Sequence, residues 1–146
     1  AVSGVFLLAA CSKGGAPDPV DGMDKIKSSK FTIKVNGSPE DLDHIVFVFA
    51  GGASNHPDVV WKVNGVERPN ENTVGFGTED FTSSTTYMIE SAAPLLSISV
   101  GITVMAVEGP LTFSYKAEVN GKTLKDIKDQ TVAEGSDFNV NYSYTE

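Results

Sequence analysis

Beyond residue 30, apolar side chains return at every second position through most of the chain. Phe31, Ile33 and Val35 alternate with Thr32, Lys34 and Asn36, the period that sends successive side chains to opposite faces of a β-strand. Val59, Trp61 and Val63 repeat it against Val60, Lys62 and Asn64, and Tyr87 and Ile89 share a face within 85–90. Two longer runs are clearer. Leu96, Ile98, Val100, Ile102, Val104 and Ala106 face one way against Ser97, Ser99, Gly101 and Thr103, while Leu111, Phe113, Tyr115, Ala117 and Val119 oppose Thr112, Ser114, Lys116 and Glu118. With Glu108-Gly109-Pro110 between them, these two are expected to form a long hairpin, and Gly101 to mark a bulge or bend. Phe138, Val140, Tyr142 and Tyr144 form a last alternating strand.

Other stretches break the pattern in informative ways. Residues 44–50, His-Ile-Val-Phe-Val-Phe-Ala, are apolar at both parities, which predicts a central strand covered on both faces. Val74-Gly75-Phe76 reads as a short strand, and the polar stretch 67–72 with Pro69 as a loop or sheet edge. Leu124, Ile127 and Val132 keep no regular period and support one further strand. Asn-Gly pairs at 36–37, 64–65 and 120–121 supply the two positive-φ residues of a tight hairpin turn. The repeated tetrapeptides Lys-Val-Asn-Gly (34–37 and 62–65) and Glu-Val-Asn-Gly (118–121) reflect that shared turn chemistry, because their flanks do not match. About eight strands with closely spaced turns and no helical period predict an all-β, antiparallel two-sheet sandwich of Greek-key type. Trp61 on the third strand is similar to the core tryptophan of immunoglobulin-like domains, although the cysteine pair is missing. A jelly roll or another Greek key fits the pattern as well.

The first ten residues differ from everything after them. They are uncharged and mostly apolar, too short for a membrane-spanning helix, and close on Ala9-Ala10, as the apolar region of a signal peptide does. Leu8-Ala9-Ala10-Cys11 resembles the lipobox of bacterial lipoproteins. The resemblance implies cleavage between Ala10 and Cys11, diacylation of the Cys11 thiol, and acylation of the new amine. Two or three acyl chains anchor firmly, since each buried methylene contributes about 0.8 kcal/mol. Neither Met nor a basic segment precedes the apolar run, so the sequence is expected to lack its first residues. By the same resemblance Ser12 directs the protein to the outer membrane, with the periplasmic and the cell-surface face both open. Residues 11–29, with Gly14, Gly15, Pro17 and Pro19 among mixed charges, read as a lipidated tether, and 30–146 as the sandwich domain. Residues 92–107 form the next most apolar run, but its alternation argues against a membrane span.

Charge and chemistry narrow the function without naming it. A net charge of −8 argues against a nucleic-acid partner, whose phosphates require a basic stripe. Cys11 is the only cysteine, so the domain stands on its core without disulfides. Acyl-transfer chemistry needs a nucleophile beside a base, and neither His44 nor His56 sits in such a motif. The loop 51–54 lacks the spacing of a nucleophile elbow. Asp41 and Asp43, in the densest acidic cluster with Glu40 and His44, are the candidate Ca²⁺ ligands, although no spaced ligand motif supports them and no cofactor is expected. Phe76 and Phe81, in loop-like surroundings, are the candidate exposed aromatics for a glycan or protein partner. The expectation is a lipid-anchored envelope protein that binds rather than catalyses. The alternatives are a subunit docking through 45–50 or an open sheet edge, and a small hydrolase, such as a glycoside hydrolase, using two carboxylates across a cleft.

Overall fold

The computed structural model describes residues 25–36, 39, 43–82 and 85–145. The lipobox, including Ala10 and Cys11, and Asp41 lie outside the described residues. Ten strands follow in chain order: β1 (Ser29–Asn36), β2 (His44–Gly52), β3 (Val59–Val63), β4 (Val66–Pro69), β5 (Thr73–Gly77), β6 (Thr86–Ser91), β7 (Ser97–Ala106), β8 (Leu111–Val119), β9 (Lys122–Val132) and β10 (Ser136–Tyr144). A 3₁₀ turn, Thr78–Phe81, follows β5. Sheet one has the order β9-β8-β1-β6-β3-β4 and sheet two the order β10-β7-β2-β5, with neighbouring strands antiparallel throughout. The protein is an all-β antiparallel two-sheet sandwich.

The alternation decides which side chains fill it. Phe31, Ile33 and Val35 of β1, Ile98 to Ala106 at every second position of β7, and all five apolar residues of β8 are buried. Strand β2 is internal to sheet two, as its composition predicts. Only Ile45, Phe47 and Phe49 are fully buried, whereas Val46 and Val48 lie half-buried on the outer face. At β3 the expected alternation fails: Val60 and Trp61 are both buried, because a register shift between Val59 and Trp61 places a bulge there. Trp61 Nε1 donates to the Asn72 carbonyl at 2.9 Å, which satisfies its polar end inside the core. Gly51 permits this packing, since a Cβ there would stand 3.0 Å from the Trp61 ring.

The long hairpin does not form. Strand β7 pairs with β2 and β10 in sheet two, while β8 pairs with β1 and β9 in sheet one. Residues 107–110 therefore carry the chain across the sandwich. Alternation states which face of a strand is buried, and a crossing between sheets satisfies it as well as a hairpin does. Gly101 makes no bulge either, because the register runs through it unbroken on both sides. A Cβ at that position would meet Asn141 Oδ1 at 3.1 Å. Asn64-Gly65 and Asn120-Gly121 do close tight hairpins, β3–β4 and β8–β9, with positive φ at all four residues. Asn36-Gly37 does not, since β1 and β2 lie in different sheets and Gly37 is outside the described residues.

The domain begins before residue 30. Ile26 is fully buried and pairs with Leu95 through backbone hydrogen bonds of 3.1 and 2.8 Å. Asn120 holds the same entry segment, its Oδ1 accepting from Lys27 N at 2.7 Å and its Nδ2 donating to the Lys25 carbonyl at 3.0 Å. A single apolar residue among lysines and serines carries no period, so the pattern assigned it to the tether.

Across the core, Tyr115 of sheet one and Tyr144 of sheet two share a hydrogen bond of 2.9 Å between their hydroxyls. Burial raises both phenol pKa values above the ordinary 10.0, because a phenolate there would lose its water. The stabilisation linked to these groups is complete below pH 10, where the unfolded phenols are still protonated, and is lost as pH rises toward the folded values. Chemical denaturation at pH 8 and pH 11 is therefore expected to show a steeper alkaline loss for the wild type than for a Tyr115→Phe/Tyr144→Phe double variant. Equal losses would contradict the buried pair.

Candidate functional site

The two outer faces of the sandwich differ in chemistry. The outer face of sheet two presents Ser99, Gly101 and Thr103 beside Asn139, Asn141 and Ser143, with Thr103 Oγ1 donating to Asn139 Oδ1 at 3.3 Å. It is largely neutral. The outer face of sheet one presents Lys30, Thr32 and Lys34 of β1 beside Glu118, Lys116 and Ser114 of β8, in that register. Lys62 and Glu90 extend the first row, so that Lys62, Glu90, Lys30 and Glu118 alternate in sign across four strands. Opposite charges directly across strands favour each other by a few tenths of a kcal/mol up to about 1 kcal/mol.

A cleft of about 340 Å³ opens on this face, floored by β1 and β8 and walled by β9. Its lysines are Lys30, Lys34, Lys116 and Lys128, and its carboxylates Glu118 and Asp126. A smaller depression of about 250 Å³ beside it, which shares Lys30 and Glu118, adds Glu90, and a separate one of about 380 Å³ at the β8–β9 turn is lined by Lys25 and Lys122. Four of the chain's eleven basic residues thus line one cleft of a protein with a net charge of −8.

The wall comes from an irregular strand. The β9 register slips against β8 between Thr123 and Lys125 and again between Ile127 and Gln130. At the second slip Asp129 takes a left-handed backbone, φ 48°, a conformation that aspartate adopts more readily than most non-glycine residues because its short side chain hydrogen-bonds locally. Its N–H donates to Ser114 Oγ at 3.0 Å, and its Oδ1 accepts from Asn36 Nδ2 at 3.2 Å. Asn36 belongs to β1, two strands away, so the bulge folds over β8 and closes one end of the cleft. Lys128 stands on the rim, its Nζ 3.9 Å from Asp126 Oδ2. On the inner side of the same strand Lys125 Nζ lies 5.2 Å from the centre of the Tyr142 ring, a cation–π contact.

The residues expected to bind lie elsewhere. Phe76 and Phe81 are not exposed: Phe76 is an inward residue of β5, and the 3₁₀ turn tucks Phe81 into the core. Their rings pack on Tyr87 at centroid distances of 4.7 and 5.5 Å. The turn is pinned by Tyr87 Oη donating to the Asp80 carbonyl at 2.8 Å and by Ile45 N donating to Thr78 Oγ1 at 2.9 Å. Burial of the ring, and then the Asp80 charge, push the Tyr87 phenol pKa up. Asp43 is buried and structural, its Oδ1 accepting from the amides of Val107 and Glu108 at 2.7 and 2.9 Å. It thereby fixes the crossing from β7 to β8. Among the described residues no three His, Cys, Asp or Glu side chains gather as metal ligands do. Both histidines are exposed.

The lysines of the cleft escaped the sequence reading because they occupy the polar half of ordinary alternating strands. A signal was present in Lys30, Lys34 and Lys116, which share the outward parity of their strands. It becomes a cluster only once β1 and β8, eighty residues apart in the chain, are known to be neighbours.

No protein-family model matches the chain, and neither does any curated protein. A solved structure of a DUF4425 family protein from Bacteroides ovatus is similar, with 12% identity over 82% of this chain and 95% of that one and a TM-score of 0.59. A protein from Parabacteroides distasonis, solved by NMR in a calcium-bound form, is 13% identical over 91% of this chain and 98% of its own, with a TM-score of 0.49. The first likeness shows a common fold.

The left-handed residue makes the wall testable. Asp129→Gly is expected to match or exceed the wild type in stability, and Asp129→Val to lose about 1–2 kcal/mol relative to Gly. Urea denaturation of both checks it. Equal stabilities would show that this residue is not left-handed.

Proposed function

We propose that this is a lipid-anchored protein of the bacterial outer membrane, whose sandwich is a binding module with its ligand site in the lysine-lined cleft of sheet one. The anchor rests on Leu8-Ala9-Ala10-Cys11, the match to a lipobox. The binding reading rests on one observation, the β9 bulge. A left-handed residue held over the outer face by Ser114 and Asn36 fills no part of the core, yet it closes a concavity. Ammonium and hydroxyl groups on rigid strands offer fixed contacts to a polar ligand. The contacts hold a molecule without transforming it.

Two experiments separate the halves of this reading. Cys11→Ser in the full chain should release the protein from membranes and leave the domain folded. A variant that still fractionates with membrane after a carbonate wash would refute the anchor. Thr32→Tyr places a ring on the cleft floor at a strand position that favours aromatics. It should abolish binding to whichever members of a panel of glycans and envelope extracts the wild type retains. Retention unchanged by the substitution would move the site away from the cleft.

A further inference from the structure

The charge pattern of the cleft selects among polar ligands. Lys30 lies between Glu90 and Glu118 in the cross-strand register, and Lys116 between Thr32 and Asp126. Lys34 differs from both. Its cross-strand neighbours are Thr86 and Ser114, so its ammonium has no carboxylate opposite it, and Lys128 and Lys116 border the same end of the cleft. Among the described residues, Lys30, Lys34 and Lys116 form no ion pair within 4 Å. One end of the cleft therefore gathers three lysines, Lys34, Lys116 and Lys128, around the hydroxyls of Ser114 and Thr32, against the two carboxylates of Asp126 and Asp129. The other end mixes Lys30 with Glu118.

We propose, on the reading of the cleft as the binding site, that its ligand is an acidic polysaccharide carrying carboxylate or sulfate groups. An acidic group sits at the Lys34–Lys116 end, where surplus positive charge is concentrated. The sugar hydroxyls donate to Glu118 and Asp126 and exchange hydrogen bonds with Thr32 and Ser114. A polymer fits better than a small free anion. Lys30 and Lys34 are four residues apart on one strand, about 13 Å, and both line the cleft. Two cations thus stand at an interval that successive acidic sugars reach and one small ion does not. An anionic bilayer fits less well, because Glu90, Glu118 and Asp126 in the same surface would face its headgroups. Lysine ammonium groups, being compact and strongly hydrated, give such a complex modest affinity and strong dependence on salt.

The test uses the full chain carrying Cys11→Ser, titrated with polygalacturonate, chondroitin sulfate, neutral dextran, and phosphatidylglycerol vesicles at low ionic strength. Binding to at least one acidic polysaccharide is expected, with none to dextran and a clear weakening on raising salt. Lys34→Gln and Lys116→Gln should each weaken it about three- to fivefold, the scale of one exposed charge contact. Arg68→Gln, on the distant strand β4, should leave it unchanged. Equal binding to dextran, indifference to Lys34→Gln, or binding to the vesicles alone would overturn the ligand class. If a neutral glycan binds and Thr32→Tyr removes it, the cleft survives as a site and only its acidic ligand fails. If no polysaccharide binds, and Thr32→Tyr alters nothing that does bind, both readings fall.

Discussion

Phe31 is the contact on which the sandwich turns. Its ring lies within 5.3 to 6.3 Å of Phe49, Tyr144, Trp61 and Tyr115, which are carried by strands of both sheets. Removing such a ring from a packed core forfeits its burial and leaves a cavity that neighbouring strands, held by their ladders, close only in part. Around this hub the polar atoms are also satisfied across the gap between sheets. The Tyr115 and Tyr144 hydroxyls pair with each other, and the Trp61 indole finds the Asn72 carbonyl. A chain whose described part contains no cysteine holds two sheets in register by interlocked aromatics.

The strands were legible in the sequence because burial on one face imposes a period of two. Phe31 to Val35, Ile98 to Ala106 and Leu111 to Val119 kept that period strictly and fell in the core as expected. Legibility failed where the backbone slips. Bulges on β3 and β9 reset the phase, so Val60 was assigned to the wrong face and β9 was barely visible. It failed again where partner choice mattered. The pattern of β7 and β8 is equally good for a hairpin and for a crossing, and the crossing is gripped by Asp43, a role that no local pattern announces. Phe76 and Phe81 were misplaced because a 3₁₀ turn can bury a ring that polar neighbours make look exposed.

Specialisation of the two faces follows from the same geometry. Every outward position is free of the core, and charge on such positions costs little stability. Sheet two spends them on small neutral groups, with Gly101 making room for Asn141. Sheet one gathers lysines on β1 and β8, residues that become neighbours only through long-range pairing. The candidate site is thus a product of topology more than of any local motif.

The irregular strand β9 has a second effect. Edge strands invite pairing between molecules, and bulges, charges on the rim and an inward-pointing lysine are the means by which proteins refuse it. With two register slips and Lys125 drawn over Tyr142, β9 offers no straight ladder to another copy. The distortion that shapes the cleft also keeps the six-stranded sheets of neighbouring molecules from fusing along this edge.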